Sequence, residues 1–458
     1  MKKGKFLLLG GLSAAVLPMV PLTISCGNGE QKKPEKSFED LTAAEKLTFV
    51  TEKFNKLDEA DKKKFLSNSK ALKELLNQDE VHTLIDELNK DAAQFGSIVW
   101  YIKSAESLIG KEQAFATAKK AFDALKANVK AQAVFDFNQD FNTAQKVDNP
   151  TKTIPVIFMD IDETVLQNDY TEAFGMLNGG YSGEMKEKND LKGKRFAVPG
   201  AVEFINHVQS NGGLVIYQSD MNQSTAVVQA VKENLKKVGV KFVADFQFWM
   251  RGSMPYVAEN EMDITDEKTK DMTDDQLKEL AKNTKFTTDF SPKPWRTWTN
   301  SSAAYRLGKL VYKTDRMQGA DANTKGWNFN QVDGKSGDAV KLLTLMKIGD
   351  NFNDFFDRLS KDKSLKNNDE RTKIYTENEK LRALFTKFDA NYLEAKKVGN
   401  KYELSEVADR PNAYILIPGN SEYGGWLDYY GYKTTFKNLY EELKAILADP
   451  KYEKGPER

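Results

Sequence analysis

The chain has little of what many enzymes lean on: one cysteine and two histidines among 458 residues. A lone cysteine, Cys26, excludes an internal disulfide and any zinc site built from several thiolates. His82 and His207 are too few for most histidine-rich metal sites. Neither follows an arginine, so a phosphatase working through an Arg-His nucleophile motif is excluded as well. Net charge is also missing, because 67 basic residues balance 67 acidic ones. Without a charge excess there is no global electrostatic grip on nucleic acid, which is not expected as a partner. Beyond residue 29 no stretch is long and apolar enough to span a membrane. What remains is ordinary globular composition, in a chain longer than the roughly 250–300 residues at which a single core stops growing. One large domain with appendages, or two domains, is therefore expected.

The first residues address the chain. Lys2, Lys3 and Lys5 form a basic start, and no charge follows from Phe6 to Gly29. Leu7–Leu9, Ala14–Leu17 and Val20–Ile24 make that stretch apolar, and Ser25 then precedes the only cysteine. This is the pattern of an export signal over residues 1–25, with Cys26 looking like the lipidated first residue of a bacterial lipoprotein. Thr23 stands where the usual lipidation motif prefers leucine. The competing reading is an uncleaved anchor, since about 20 apolar residues can cross a bilayer. Either way the rest of the chain is expected outside the cytoplasm, held to the cell membrane on its extracellular face. Residues 26–38 read as a polar tether.

Residues 39–95 are charged and helical in pattern, with Leu47, Val50, Phe54 and Leu57 at helical spacing and a capping box at Thr42 and Glu45. Another helical pattern over 97–129 carries Trp100, Leu108, Phe115, Ala118 and Phe122, which reads as a core stripe. After Thr153 the pattern becomes short apolar runs separated by helical segments: Pro155–Met159, Leu214–Tyr217, Leu345–Ile348 and Ala413–Ile417. Continuous apolar runs suit strands buried on both faces of a parallel sheet. The expected fold is α/β, a parallel sheet flanked by helices, spanning 97–450. Ligands of such a sheet sit at the carboxyl ends of its strands, where Asp160, Ser219, Asp350 and Gly419 fall. Residues 251–335, rich in Asp, Thr, Lys and Asn, read as a large inserted, cap-like segment.

The chemistry concentrates in "VIFMDIDETVL", which puts Asp160, Asp162 and Thr164 just past a buried strand. Three acids within four residues repel one another unless a cation neutralises them, and a hard divalent ion such as Mg²⁺ takes oxygen ligands of this kind. One carboxylate can then attack phosphorus to form an acyl phosphate. A second, two residues on, can protonate the departing oxygen and later deprotonate water. That second acid favours phosphomonoester hydrolysis over an ATPase role, because a leaving alkoxide needs a proton. Ser219, ending "GLVIYQS", can hold a phosphate oxygen together with the start of a helix from Ser224. In "GDNFNDF", Asp350 is a further metal ligand. Asp354, four residues on, is placed to orient ligands or water and is counted with the substrate-binding residues. A phosphate among carboxylates also needs a fixed cation. Lys325 in "NTKGWNF" is the first candidate and Lys313 in "VYKTD" the second.

The ordered set resembles the haloacid dehalogenase-like phosphohydrolases. With "FMDIDETVLQN", "FAVPGAVEFINHV", "GDNFNDF", "PGNSEYGGW" and the stretch Val99–Asp123, the resemblance narrows to the class C bacterial acid phosphatases, many of which are 5′-nucleotidases. It implies Asp160 as nucleophile and Asp162 as acid and base. It also implies Mg²⁺ on Asp160, Asp350 and the Asp162 carbonyl, and Tyr423 stacking on a nucleobase or other flat leaving group. The substrate so implied is a small phosphomonoester. The family commonly reads Thr-Asn-Arg after the second strand, whereas Ser219, Asp220 and Met221 stand here. That departure keeps alive a lipoprotein receptor or adhesin that retained the fold without turnover. A phosphotransferase with an alcohol acceptor is a third reading.

Overall fold

The computed structural model describes residues 92–128, 135–137, 144–147, 153–177, 182–260, 264–308, 310–329, 340–361, 368–399, 401–419 and 445–450, with a few positions between 42 and 58. The chain divides into two units: residues 94–432, and residues 1–93 with 433–458. In the latter the Thr42–Glu45 capping box is formed. Thr42 N–H donates to Glu45 Oε2 at 2.7 Å and Glu45 N–H to Thr42 Oγ1 at 3.3 Å. Cys26 and the signal-like residues 1–25 lie outside the described residues, as does Tyr423. No helix among the described residues is long and apolar enough to cross a membrane.

In the 94–432 unit, helices α1 (Ala92–Lys103) and α2 (Ala105–Asn128) lead to a short antiparallel pair, β1 (Phe135–Phe137) and β2 (Ala144–Val147). The main sheet follows from β3 (Thr153–Met159), β4 (Leu214–Tyr217), β7 (Lys341–Gly349), β8 (Ala390–Val398) and β9 (Lys401–Leu416), in the order β4-β3-β7-β9-β8. Strands β4, β3, β7 and β9 run parallel, as their apolar runs, broken only by Lys347 in β7, predict. The reason is visible in β3. Ile157 and Met159 enter one buried cluster, while Ile154, Val156 and Phe158 enter the other. Both faces are covered, so alternation places no polar residue outward.

One face is closed by α2, α5 (Ala201–Ser210) and α6 (Thr225–Lys237), through Phe122, Phe204, Val208, Val227 and Val231. The other is closed by α9 (Lys313–Ala322), α10 (Asn353–Lys361) and α12 (Glu379–Thr386), through Met317, Phe355, Leu381 and Leu384. Trp249 and Trp327 meet edge to face in this second core, at 5.4 Å and 84°. Each indole N–H finds a backbone carbonyl, Phe246 at 2.9 Å and Ala320 at 2.8 Å, so burial leaves neither donor unpaired. The other helices of eight residues or more are α3 (Asp169–Leu177) and α4 (Gly183–Asp190) between β3 and α5, α7 (Asp274–Asn283), α8 (Ser301–Gly308) and α11 (Asn368–Glu377), among the described residues.

Three features depart from the sequence reading. Trp100 and Leu108 are exposed by 49% and 45%, so the core stripe begins only at Phe115. Helix α1 ends before Ser104, whose Oγ accepts from Ser107 N–H at 3.1 Å, and the break interrupts the periodicity. Strands β8 and β9 form a long antiparallel hairpin from Ala390↔Asn412 to Val398↔Lys401. Before Ala413 its mixed, half-exposed faces give no continuous apolar run to read. Residues 251–335 are shared between two cores. The hairpin of β5 (Tyr256–Ala258) and β6 (Phe286–Phe290) helps enclose a small cluster around Met254, Trp298 and Leu307, whereas Trp295, Met317 and Trp327 belong to the main one.

Helix α2 is thus integral to the sheet domain. Phe122 is fully buried and meets His207 edge-on at 6.0 Å. Phe122→Ala should lower the unfolding free energy by about 3–5 kcal/mol, the cost of a large aromatic cavity, read from urea denaturation.

Candidate active site

The carboxyl ends of β3, β4 and β7 converge because their register aligns Met159 with Tyr217 on one side and Ile348 on the other. Asp160 is still held by the sheet, its N–H donating to the Ile348 carbonyl at 2.9 Å. The chain then turns back sharply. Val165 and Leu166 N–H both reach the Ile161 carbonyl at 2.9 Å, and Glu163 takes a left-handed φ of 57° to close the turn. This loop aims Asp160 and Asp162 into a pocket of about 460 Å³ that Asp350 and Asp354 also line.

Lys313 is the hub of that pocket. Its Nζ donates to Asp160 Oδ1 at 2.5 Å and to Asp354 Oδ1 at 2.6 Å. It is the first residue of α9, whose start is tied to α10: Lys313 N–H donates to Asp357 Oδ2 at 2.7 Å, and Thr314 Oγ1 to Asp357 Oδ1 at 2.6 Å. One turn on, the buried Arg316 donates from Nη1 to the carbonyls of Ser219 at 3.1 Å and Trp249 at 2.6 Å, binding α9 to the end of β4. Burial opposes the Lys313 charge, yet Asp160 and Asp354 outweigh it and hold its pKa well above the ordinary lysine value.

Asp354 turns its other oxygen to the loop, with Oδ2 accepting from the N–H groups of Asp350 at 2.9 Å and Asn351 at 3.1 Å. The packing is so close that a Cβ at Gly349 would stand 2.3 Å from Asp354 Oδ2, and one at Gly419 would stand 2.8 Å from Asp350 Oδ2. Oxygens of Asp160, Asp350 and Asp354 all lie within 4.8 Å of one another. Burial pushes the Asp160 and Asp350 carboxyls well above the usual carboxylate range, and their acidic neighbours push the same way. Three such acids with one ammonium between two of them are short of positive charge. Asp354 is committed to Lys313 and the loop amides, which leaves Asp160 and Asp350 to offer oxygens to a hard divalent cation. The residues fit such an ion.

Asp162 has a different environment. Its Oδ1 accepts from Lys186 Nζ at 2.8 Å and Arg195 Nη1 at 2.5 Å, and its Oδ2 from Ser219 Oγ at 3.2 Å. Although burial works the other way, the two cations hold this carboxyl far below the usual range. Both come from the stretch between β3 and α5. Lys186 in α4 also grips Asp190 four residues on, at 2.8 Å. The backbone of Arg195 is clamped by Asn234 of α6, which accepts its N–H at 2.9 Å and donates to its carbonyl at 2.8 Å.

The structure therefore brings together Asp160, Asp162, Ser219, Asp350 and Asp354, and adds Lys186, Arg195 and Arg316, which the sequence did not single out. In the sequence, Lys186 and Asp190 look like an ordinary surface pair at i and i+4, and Arg195 has no signal except its place just before "FAVPGAVEF". Lys325, the first lysine candidate, is corrected to Lys313. Lys325 is exposed, and its N–H donates to Asn323 Oδ1 at 3.2 Å in the turn after α9. The ten-residue α9 is about 15 Å long, and the two lysines sit at opposite ends of it. The helix expected after Ser224 is present as α6, with Ser224 Oγ capping Val227 N–H at 3.3 Å.

The family model for the HAD superfamily, subfamily IIIB (acid phosphatase), matches residues 111–378, more than half of the chain and every acid in this pocket's core. The chain belongs to that family. Its members are phosphomonoester hydrolases. Among solved structures it is similar to the class C acid phosphatase from Bacillus anthracis, with 18% identity over 78% of this chain and 95% of that one and a TM-score of 0.41. The same enzyme with tungstate bound is similar at 19% identity, with the same coverage and a TM-score of 0.38. No curated protein matches the sequence.

The two lysines separate in a direct test. Lys313→Met should cut kcat toward p-nitrophenyl phosphate by about 100-fold or more, the scale for removing a fixed charge from a preorganised site. Lys325→Met should leave kcat within about twofold, since Lys325 is exposed and is not among the described residues that line the pocket.

Proposed function

We propose that this protein is a surface-anchored, Mg²⁺-dependent phosphomonoesterase that hydrolyses nucleotides or similar small monoesters through an aspartyl-phosphate. The observation that carries the reading is Asp160, buried at the end of β3, sharing Lys313 with Asp354 and facing Asp350. Asp160 Oδ attacks phosphorus, and the bond from phosphorus to the ester oxygen breaks. Asp162 is ionised while Lys186 and Arg195 bond it; as those cations turn to the phosphoryl oxygens it takes up a proton from solvent, and it gives that proton to the departing oxygen. It then takes a proton from water, whose oxygen attacks the aspartyl-phosphate, releasing phosphate and restoring the Asp160 carboxylate. Lys313 balances the charge around Asp160, and Ser219 Oγ steadies the Asp162 carboxylate. Asp160, Asp350 and the Asp162 carbonyl would hold Mg²⁺, which would supply Lewis-acid stabilisation to a phosphoryl oxygen when bound.

The nucleotide preference rests on the sequence resemblance alone, through Tyr423. Anchoring rests on the apolar start and Cys26. The receptor reading finds no favouring observation here, because the acids and the lysine are mutually bonded in one pocket.

Two measurements test the proposal. A phosphate-release screen over monoesters should show turnover that needs added Mg²⁺ and disappears in Asp160→Asn while the melting curve stays that of a folded protein. Near wild-type turnover in that variant would overturn the covalent route. For the anchor, cells fed a labelled fatty acid should label the wild type and not Cys26→Ala, and label persisting in the variant would refute lipidation.

A further inference from the structure

The pocket is acidic, and a phosphate dianion entering it must meet cations with donors to spare. Lys313 is committed to Asp160 and Asp354. Arg316 spends its Nη1 on two backbone carbonyls behind the pocket. Arg251 is paired with Asp220 at 3.0 Å and lies over the Tyr305 ring at 4.8 Å. The end of β4, Ser219-Asp220-Met221, brings no cation of its own.

Arg371 also lines the pocket and lies over the Phe352 ring at 5.9 Å. Arg195, which stands just behind the lining residues, differs from all of these. Its side chain is only 8% exposed. Nη1 bonds Asp162 and, at 2.9 Å, Asn168 Oδ1, with Asp190 at 3.5 Å. Among the described residues Nη2 meets nothing better than the Met221 thioether at 3.6 Å, and Nε is buried without a hydrogen-bond partner. A thioether is a weak acceptor on an adaptable side chain. A buried guanidinium edge lacking an oxygen acceptor costs free energy that an anion would recover. Asp162, Asn168, Asp190 and Met221, which Arg195 touches, all line the pocket, and so does Lys186, whose bond to Asp162 is released when that carboxyl carries the proton it donates.

We propose that Arg195 and Lys186, carried by the stretch between β3 and α5, form the anion-binding pair for the phosphoryl group, with the Arg195 Nε and Nη2 edge as the donor held in reserve. The inference rests on the phosphomonoesterase reading and deepens it. Met221 swings aside as the phosphoryl oxygens arrive, and Lys186 turns part of its charge from Asp162 and Asp190 to the ligand. The fork geometry of arginine suits such oxygens, and the compact lysine supplies the second charge.

The test is titration of inorganic phosphate into the full chain with Mg²⁺, alongside kinetics on p-nitrophenyl phosphate. Arg195→Met and Lys186→Met should each raise the phosphate Kd and the KM by about tenfold to hundredfold, the scale of a lost charge-assisted hydrogen bond. Adding Met221→Arg to Arg195→Met, which returns a cation from the β4 side, should recover much of the loss. A purely structural role for Arg195 predicts no such rescue. Should Arg195→Met fail to fold, Arg195→Lys is read instead, with an intermediate loss expected. Wild-type Kd in the folded variants overturns the proposal, and so does a double variant that folds and recovers nothing. A wild-type protein that releases phosphate from monoesters while Arg195→Met is unaffected sinks this inference alone. A wild-type protein that neither binds phosphate nor hydrolyses any monoester sinks the phosphatase reading with it.

Discussion

A single ammonium between two buried carboxylates organises the site. Lys313 Nζ reaches Asp160 on β3 and Asp354 on α10 and so ties the end of one strand to the loop leaving another. Several other arrangements exist because of it. Asp357 fixes the start of α9 so that the lysine arrives at the right place, Arg316 fixes the next turn, and Gly349 has no side chain because Asp354 must fold back onto the loop amides. Acids gathered at one end of a parallel sheet would otherwise drive those strand ends apart. The pairing makes the cluster tolerable and leaves it still short of positive charge.

The same loop depends on an unusual support beneath it. Lys347 of β7 is buried among Tyr392, Tyr414 and Phe356, and burial brings its pKa down to about 7. Its Nζ donates to the Phe355 carbonyl at 2.9 Å. Helix α10 has non-helical angles at Phe356, φ −143° and ψ 45°, so the regular ladder is broken there and that carbonyl needs another donor. The kink therefore has a physical partner, and it lies just past Asp354.

Much of this was legible in the sequence. The four parallel strands announce themselves because each holds a buried, mainly apolar run, interrupted only by Lys347 in β7 and confined to the end of β9, and Asp160, Ser219 and Asp350 each fall just past one. Asp160, Asp162, Ser219, Asp350 and Asp354 could be grouped on that ground. The rest failed for identifiable reasons. Lys313 and Lys325 both stand near candidate turns, and only the direction of α9 says which end meets the acids. Lys186 and Asp190 have surface spacing but a buried setting, since α4 packs its charged face inward. Before Asn412 the β8–β9 hairpin mixes charged and apolar residues without a buried run, so only the end of β9 is marked as part of the sheet.

The Asn234 amide clamp on Arg195 has a consequence for the reaction cycle. Because both backbone groups of Arg195 are already bonded, the ordering cost at this position is met during folding and not at ligand arrival. A backbone held in that way does not relax when the ester bond breaks. On the proposed role of Arg195, the released orthophosphate meets the same fixed chain as the ester did and should compete with it for that position.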